Sequence, residues 1–185
     1  MPNIHDQQLV ARVSQFSDQE AFVALHGQYF AKIREFLMFR VSQKEDAEDI
    51  ANQVFLKAWE YLTNASAKRI RNFRAFLYRV ARNEVADFYR AQGRTPVIVA
   101  LDDFEDGFEV ADTREDALTQ QLVVQDVDHL IACVQKLPEP YREVIALRFF
   151  EELEIREVAE IIGKTIGNTR VLIHRGVKTL QKMLH

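Results

Sequence analysis

An all-α fold is predicted, with two small helical domains joined by an acidic linker and a helix-turn-helix in the second domain. Three features carry this expectation. Apolar residues recur at i, i+3, i+4, i+7 spacing through most of the chain, the mark of amphipathic helices. Six glycines and four prolines in 185 residues are too few for the turns of an all-β fold. The helical pattern also stops across residues 93–117 and resumes at Leu118, so the length divides into two small units rather than one medium domain.

Taken in order, Ile4–Ser14 reads as a short helix with Ile4, Leu9, Val10 and Val13 available for packing. Ser17 and Glu20 match the S-x-x-E capping box and open a helix running to about Arg40, with Phe22, Leu25, Tyr29, Ile33, Phe36 and Leu37 as its stripe. Ser42 and Glu45 form a second such box. The helix after it has Ala47, Ile50, Ala51, Val54, Phe55, Ala58 and Leu62 on one face. Asn72 then caps a helix striped by Phe73, Phe76, Leu77, Val80, Ala81, Val85 and Phe88, ended by Gly93 and Pro96. Residues 1–92 thus form a credible domain with an aromatic core.

Between residues 102 and 116 eight acids stand against Arg114 alone, which reads as an extended, self-repelling linker. Helical spacing returns with Leu118, Leu122, Val127, Leu130, Ile131, Val134 and Leu137, and Pro138-Glu-Pro140 turns the chain into a helix over Tyr141–Phe150. Ile155, Val158, Ala159 and Ile162 mark the next helix, and Gly163 suits a left-handed end. Ala159 supplies the small residue that two helices crossing over a tight turn require. Thr165 is placed to cap the last helix, whose buried stripe is expected to be Ile166, Thr169, Ile173, Val177 and Leu180. Lys164, Gly167, Asn168, Val171, His174, Arg175, Lys178 and Lys182 fall on the other side. From Lys164 to His185 there are five Lys or Arg and no acid. That charge pattern suits a second helix entering a DNA major groove, although any amphipathic helix with a solvated basic face would share it.

Composition narrows the function further. The net charge of −4 hides strong segregation along the chain, so nucleic acid is not excluded as a partner. Cys133 is the only cysteine, which rules out an intramolecular disulfide and fits a reducing cytoplasm. No apolar run approaches the roughly 20 residues of a membrane span, and the N-terminus lacks the basic-then-apolar order of a signal peptide. No glycine-rich phosphate loop or G-x-S-x-G elbow is present. His129 and Cys133 stand at i, i+4, but no second pair completes a metal site. The chain is expected to be neither an enzyme nor a cofactor protein.

Two charged features remain. Segment 68–94 carries eight Lys or Arg against Glu84 and Asp87, interleaved with Phe73, Phe76, Tyr78, Phe88 and Tyr89. Basic groups neutralise phosphates and aromatic faces stack unpaired bases, the combination that single-stranded DNA requires. The phenylalanines lie on the buried stripe, so Tyr78 and Tyr89 are the expected exposed rings. Asp46, Glu48 and Asp49 cluster at a helix N-terminus. They either complement its dipole or form a docking face for a basic partner.

These stretches together resemble the bacterial RNA polymerase sigma factors of the extracytoplasmic-function (ECF) type, within the sigma-70 family. DAEDIANQVFLKAWEYL (46–62) looks like their core-polymerase-binding helix. RNFRAFLYRVARNEVADFYR (71–90) is similar to the segment that melts and reads the minus-ten element, and 137–180 to the domain that reads the minus-thirty-five element. The resemblance implies a region 2-like domain over 1–92, a linker over 93–117 and a region 4-like domain over 118–185. It implies core-polymerase contacts by Asp46, Glu48, Asp49 and Gln53. For DNA it implies Lys68, Arg69, Arg71, Asn72, Arg79, Asn83, Asp87 and Arg90 in the first domain, with a flipped base held by the loop around 65–72. In the second it implies Lys164, Thr165, Asn168, Arg170, Val171, His174, Arg175 and Lys178. The implied partners are core RNA polymerase, promoter DNA and an anti-sigma factor, without membrane insertion.

The chain departs from the family pattern in three places. Phe76 stands where Trp is usual, which keeps an aromatic anchor. Glu154 replaces a Ser or Thr cap, an expected loss of about 1 kcal/mol at that helix start. Arg170-Val171-Leu172 lacks a second basic residue, leaving Val171 to touch a thymine methyl. The competing expectation is a stand-alone dimeric helix-turn-helix regulator whose N-terminal helices sense a ligand or dimerise.

Overall fold

The computed structural model describes residues 4–65, 69–93 and 127–184, and these form eight α-helices and one π-helical turn. The chain divides between Thr95 and Pro96 into two compact units. The acidic stretch, Leu118, Leu122 and Lys68 lie outside the described residues.

The first unit holds α1 (Ile4–Phe16), α2 (Gln19–Met38), α3 (Lys44–Thr63) and α4 (Phe73–Ala91). All seven apolar positions expected on the inner face of α3 are buried, packed between α2 and α4. From α2 come Leu25, Tyr29, Ile33, Phe36 and Leu37, and from α4 Phe73, Phe76, Leu77, Ala81 and Val85. Phe36 meets Tyr78 edge-on with ring centres 5.2 Å apart. Lys57 on α3 reaches Glu84 on α4, and that hydrogen bond holds the ammonium above its usual pKa. Ile4, expected in the core, is 74% exposed because α1 begins there and its packing face starts at Asp6 and Leu9.

Neither predicted S-x-x-E capping box forms. Ser17 adopts a left-handed φ of 51°, and Asp18 takes the cap position one residue later. Its Oδ1 accepts the Ala21 N–H at 3.0 Å, while Arg12 Nε donates to Oδ2 at 2.8 Å. The Ala21 amide first, and the Arg12 hydrogen bond second, hold this carboxyl below the usual carboxylate range. At α3, Gln43 is the N-cap and supplies no side-chain bond; Glu45 and Asp46 in the first turn complement the dipole instead. Asn72 caps α4 as expected, accepting the Ala75 N–H at 3.0 Å.

One buried carboxylate fixes α1 on α2. Asp6 is 4% exposed; Gln28 Nε2 donates to its Oδ1 at 3.1 Å and the Tyr29 hydroxyl donates to its Oδ2. Removing one donor to a buried acceptor leaves that acceptor undersatisfied, which costs more than the net worth of an ordinary hydrogen bond. Tyr29→Phe is expected to lower the stability of this unit by about 1–2 kcal/mol in denaturant melts. A melt matching wild type would mean the network carries no net stability.

The second unit contains α5 (Val127–Lys136), α6 (Glu139–Ile145), a π-helical turn (Ala146–Phe150), α7 (Ile155–Ile162) and α8 (Ile166–Leu184). A continuous helix was expected over Tyr141–Phe150. The backbone widens at Ala146 instead: the Glu151 N–H reaches back five residues to Ala146 O at 3.1 Å. The turn ends at Glu152, which has φ 53°, and Arg148 Nη1 closes it by donating to Leu153 O at 2.9 Å. Cys133 is buried beside the exposed His129, with Sγ 3.7 Å from Nε2, and its thiol donates toward Met183 O at 3.9 Å.

The start of α7 corrects the expected weakness at Glu154. Glu154 and Glu157 form a capping box in which the Glu154 N–H donates to Glu157 Oε2 at 3.2 Å. Glu157 thereby satisfies the backbone amide of the N-cap residue itself. Gly163 then turns the chain at φ 69°, a conformation costly for other residues.

Candidate nucleic-acid interface

The α7–turn–α8 pair sets out the first candidate surface. Thr165 Oγ1 accepts the Asn168 N–H at 3.2 Å and so caps α8. The inner face of α8 is Thr169, Leu172, Ile173, Gly176, Val177 and Leu180. Ile166, expected there, is 39% exposed, because its place in the first turn precedes the contact with α7. On the outer side Asn168 and Lys178 are exposed, and Lys164, Val171, His174 and Arg175 are half-buried. Arg170 is half-buried too, with its Nε enclosed, so part of its guanidinium faces the unit rather than solvent. This outer side combines positive charge, an amide at the helix start and one aliphatic side chain.

In the first unit, Arg79, Asn83, Asp87 and Arg90 follow one another along α4 at spacings of three or four. Asn83, Asp87 and Arg90 are exposed and Arg79 is half-buried. Arg90 pairs with Asp87 across one turn, which fixes the orientation of the guanidinium. The tyrosines behave differently from expectation. Tyr78 has no exposure and belongs to the core against Phe36; the stripe is wider than the sequence spacing implied. Tyr89 is half-buried and donates its hydroxyl to Arg40 O at 2.6 Å. Neither ring is a free stacking platform.

A cavity of about 800 Å³ opens beside the segment joining α3 to α4. Tyr61, Leu62, Asn64, Arg69, Ile70 and Arg71 form one side of it and α1 the other. Arg69 and Arg71 are exposed, while Asn72 is turned to its capping role. Tyr61, half-buried and 5.0 Å from the Phe76 ring, is the aromatic side chain that borders this opening. It was missed in the sequence because it sits at the end of a helix assigned to another task. Its signal is position: three residues before Asn64, where that helix breaks.

The exposed side of α3 is the third surface. Glu48, Asp49 and Gln53 are exposed and Asp46 is half-buried. Leu56 follows Asp49 and Gln53 at helical spacing and is 51% exposed. An apolar side chain bordered by acids and amides has the composition of a docking patch, with an apolar centre and a polar rim.

Residues 19–95 match the family model for sigma-70 region 2, and residues 128–180 match that for sigma-70 region 4. The ECF RNA polymerase sigma factor SigW of Bacillus subtilis is 31% identical over 179 residues, covering 90% of each chain. The chain belongs to the ECF sigma factors. The RNA polymerase sigma-H factor of Pseudomonas aeruginosa is 32% identical over 186 residues, covering 97% of this sigma factor and 93% of that one. The ECF sigma factor BldN of Streptomyces coelicolor is 31% identical over 177 residues; the match takes in 96% of this sigma factor and 65% of BldN's own length. Among solved structures, CnrH in complex with the cytosolic domain of CnrY superposes with a TM-score of 0.68 at 21% identity, covering 97% of both chains. The sigma factor RpoE of Bartonella quintana, solved with the anti-sigma factor NepR, gives 0.61 at 20% identity, covering 88% of this chain and 96% of that one. These two share the helical fold.

As a sigma factor, the chain is a promoter-specificity subunit of RNA polymerase. The stand-alone regulator reading gives way here, because the segment it assigned to a sensor or dimerisation module is the one that matches region 2. Sigma factors of this kind are DNA-binding initiation factors. No helix among the described residues of this sigma factor is long and apolar enough to cross a membrane. Among those residues no group of three or more His, Cys, Asp and Glu is placed to hold a metal ion.

Proposed function

We propose that this sigma factor divides its work among the three surfaces. The outer side of α3, with Asp46, Glu48, Asp49 and Gln53 around Leu56, docks on core RNA polymerase. The segment 69–72 and the α4 residues Arg79, Asn83, Asp87 and Arg90 hold the melted minus-ten strand, joined by Lys68, which lies outside the described residues. The outer side of α8 reads the minus-thirty-five duplex through Lys164, Thr165, Asn168, Arg170, Val171, His174, Arg175 and Lys178. Residues 1–92 thus act as the region 2 domain, 93–117 as the linker and 118–185 as the region 4 domain. The protein works in the cytoplasm, with no catalytic residues or cofactor of its own and no insertion into a membrane.

The observation that carries this reading is the pairing of two basic surfaces on separate helical units with an acidic-rimmed apolar face on α3. A duplex-binding regulator has use for one basic surface; a factor that also handles a melted strand has use for both. Two structural relatives are complexes, one with the cytosolic domain of CnrY and one with the anti-sigma factor NepR. We extend a partner of that kind, an anti-sigma factor, to this chain.

Transcription reconstituted from core polymerase, this chain and a promoter library tests the assignment. Specific transcripts should require both proteins, whereas dimeric binding to duplex without polymerase would contradict it. Within the same system, Lys178→Ala should remove one phosphate contact. Promoter affinity should fall, and the slope of log K against log salt should become shallower by about 0.9. An unchanged slope would remove Lys178 from the DNA-contacting set.

A further inference from the structure

The wall of the 800 Å³ cavity opposite the α3–α4 segment is α1, and α1 precedes the region 2 match, which begins at residue 19. Gln7, Ala11, Ser14 and Gln15 lie at i, i+4, i+7 and i+8 on one side of α1, all exposed, and all line the cavity. The opposite side of α1, with Asp6, Leu9, Val10 and Val13, is buried. The Asp6 bonds to Gln28 and Tyr29 therefore fix the rotation of α1 and aim its polar side at the cavity. Gln7 Nε2 spans to Arg71 O at 3.4 Å, so α1 and the segment at 69–72 border the same opening.

The chemistry of the two walls suits an unpaired nucleobase. Tyr61 offers a ring at the rim, and the half-buried Ile70 offers apolar surface for a base face. Gln7, Gln15 and Asn64 each carry both a donor and an acceptor, which is what a Watson–Crick edge requires of its reader. No carboxylate lines the cavity among the described residues, while Arg69 and Arg71 do, so the local field favours an anionic strand. Resting on the minus-ten reading above, we propose that α1 is a specificity-determining element. Gln7, Ala11, Ser14 and Gln15 form one wall of the cleft that receives a flipped base of the melted strand, and they set which base is accepted.

The test uses the full chain with core polymerase and promoters whose minus-ten region is already unpaired. Each melted base is exchanged for the other three and for an abasic site, with wild type, Ala11→Trp, Gln15→Leu and Arg79→Ala compared. Wild type should discriminate at one position by about fivefold or more, the scale of a single mismatched base. Ala11→Trp fills the cleft and Gln15→Leu removes an edge-reading amide. Both should reduce that discrimination to about twofold or less, only at that position, with binding to the abasic template unchanged. Arg79→Ala should weaken every template alike. Wild-type discrimination in both folded α1 variants overturns the inference while leaving the minus-ten reading in place. No discrimination by wild type at any melted position, together with wild-type binding by Arg79→Ala, overturns both.

Discussion

Gly176→Leu is expected to destabilise the second unit by about 3 kcal/mol or more and to abolish minus-thirty-five recognition at physiological temperature. Gly176 is buried in the middle of α8, where it faces α6. A Cβ built there would lie 3.1 Å from Ile145 Cγ1 and 3.4 Å from both Ile145 Cδ1 and Tyr141 Cβ. Ile145 is itself almost wholly buried, so it has no solvent to move into, and three further carbons would force the helices apart. A unit of this size holds only a few kcal/mol of net stability, so overpacking of that order removes most of it. Gly176→Ala is the informative control. One methyl meets the 3.1 Å contact, but alanine regains about 1 kcal/mol of helix propensity, so the two effects nearly cancel. Hydrogen exchange should show lost protection along α6 and α8 in the leucine variant alone. Equal protection in both would mean that α6 yields more easily than its burial implies.

That glycine marks the limit of what the sequence disclosed. Amphipathic spacing found every inner position of α3 and nearly every one of α2, because the apolar residues of both helices recur at the 3.6-residue period. Sequence reasoning looked for the small residue at the α7–α8 crossing and chose Ala159, which is indeed buried. A second close approach, however, lies between α8 and α6, two helices not adjacent in the chain, and their meeting point is fixed by tertiary packing. A glycine inside a strong helical pattern was the available signal, since it costs stability unless a neighbour needs the space.

The caps and rings failed for a related reason. Ser17 and Ser42 satisfy a spacing rule, but Asp18 offers a charged acceptor one residue later and gains Arg12 as a second partner. The spacing rule cannot weigh those alternatives. Tyr78 lies off the narrow stripe that the sequence of α4 shows, yet α4 is covered by both α2 and α3, so its buried face is broad. Among the implied contact residues, Asn72 and Thr165 turn out to accept backbone amides at helix starts. Their first role is to orient the segments that carry Arg71 and Asn168.

Charge reversal on α3 should have the largest functional effect: Asp49→Lys is expected to weaken association with core polymerase by about 30- to 100-fold. Opposed like charges at an interface cost several kcal/mol, and a lysine here would confront the basic partner surface that the acidic rim implies. Asp49 is the cleaner site for this test than Asp46. Asp46 lies in the first turn of a helix that has no side-chain cap, so its reversal also forfeits a favourable dipole interaction of about 0.3–1 kcal/mol. Asp49 is a turn further in, exposed, and two turns before the exposed Leu56 on the same side of α3. Its circular dichroism and melting behaviour should match wild type while co-purification with polymerase is lost. Leu56→Ala tests the same face by a different force. It should weaken binding at all salt concentrations, because apolar contact is not screened, whereas the effect of Asp49→Lys should shrink as salt rises. If Asp49→Lys co-purifies as wild type, α3 is not the docking surface, and the acids at its start serve only its dipole.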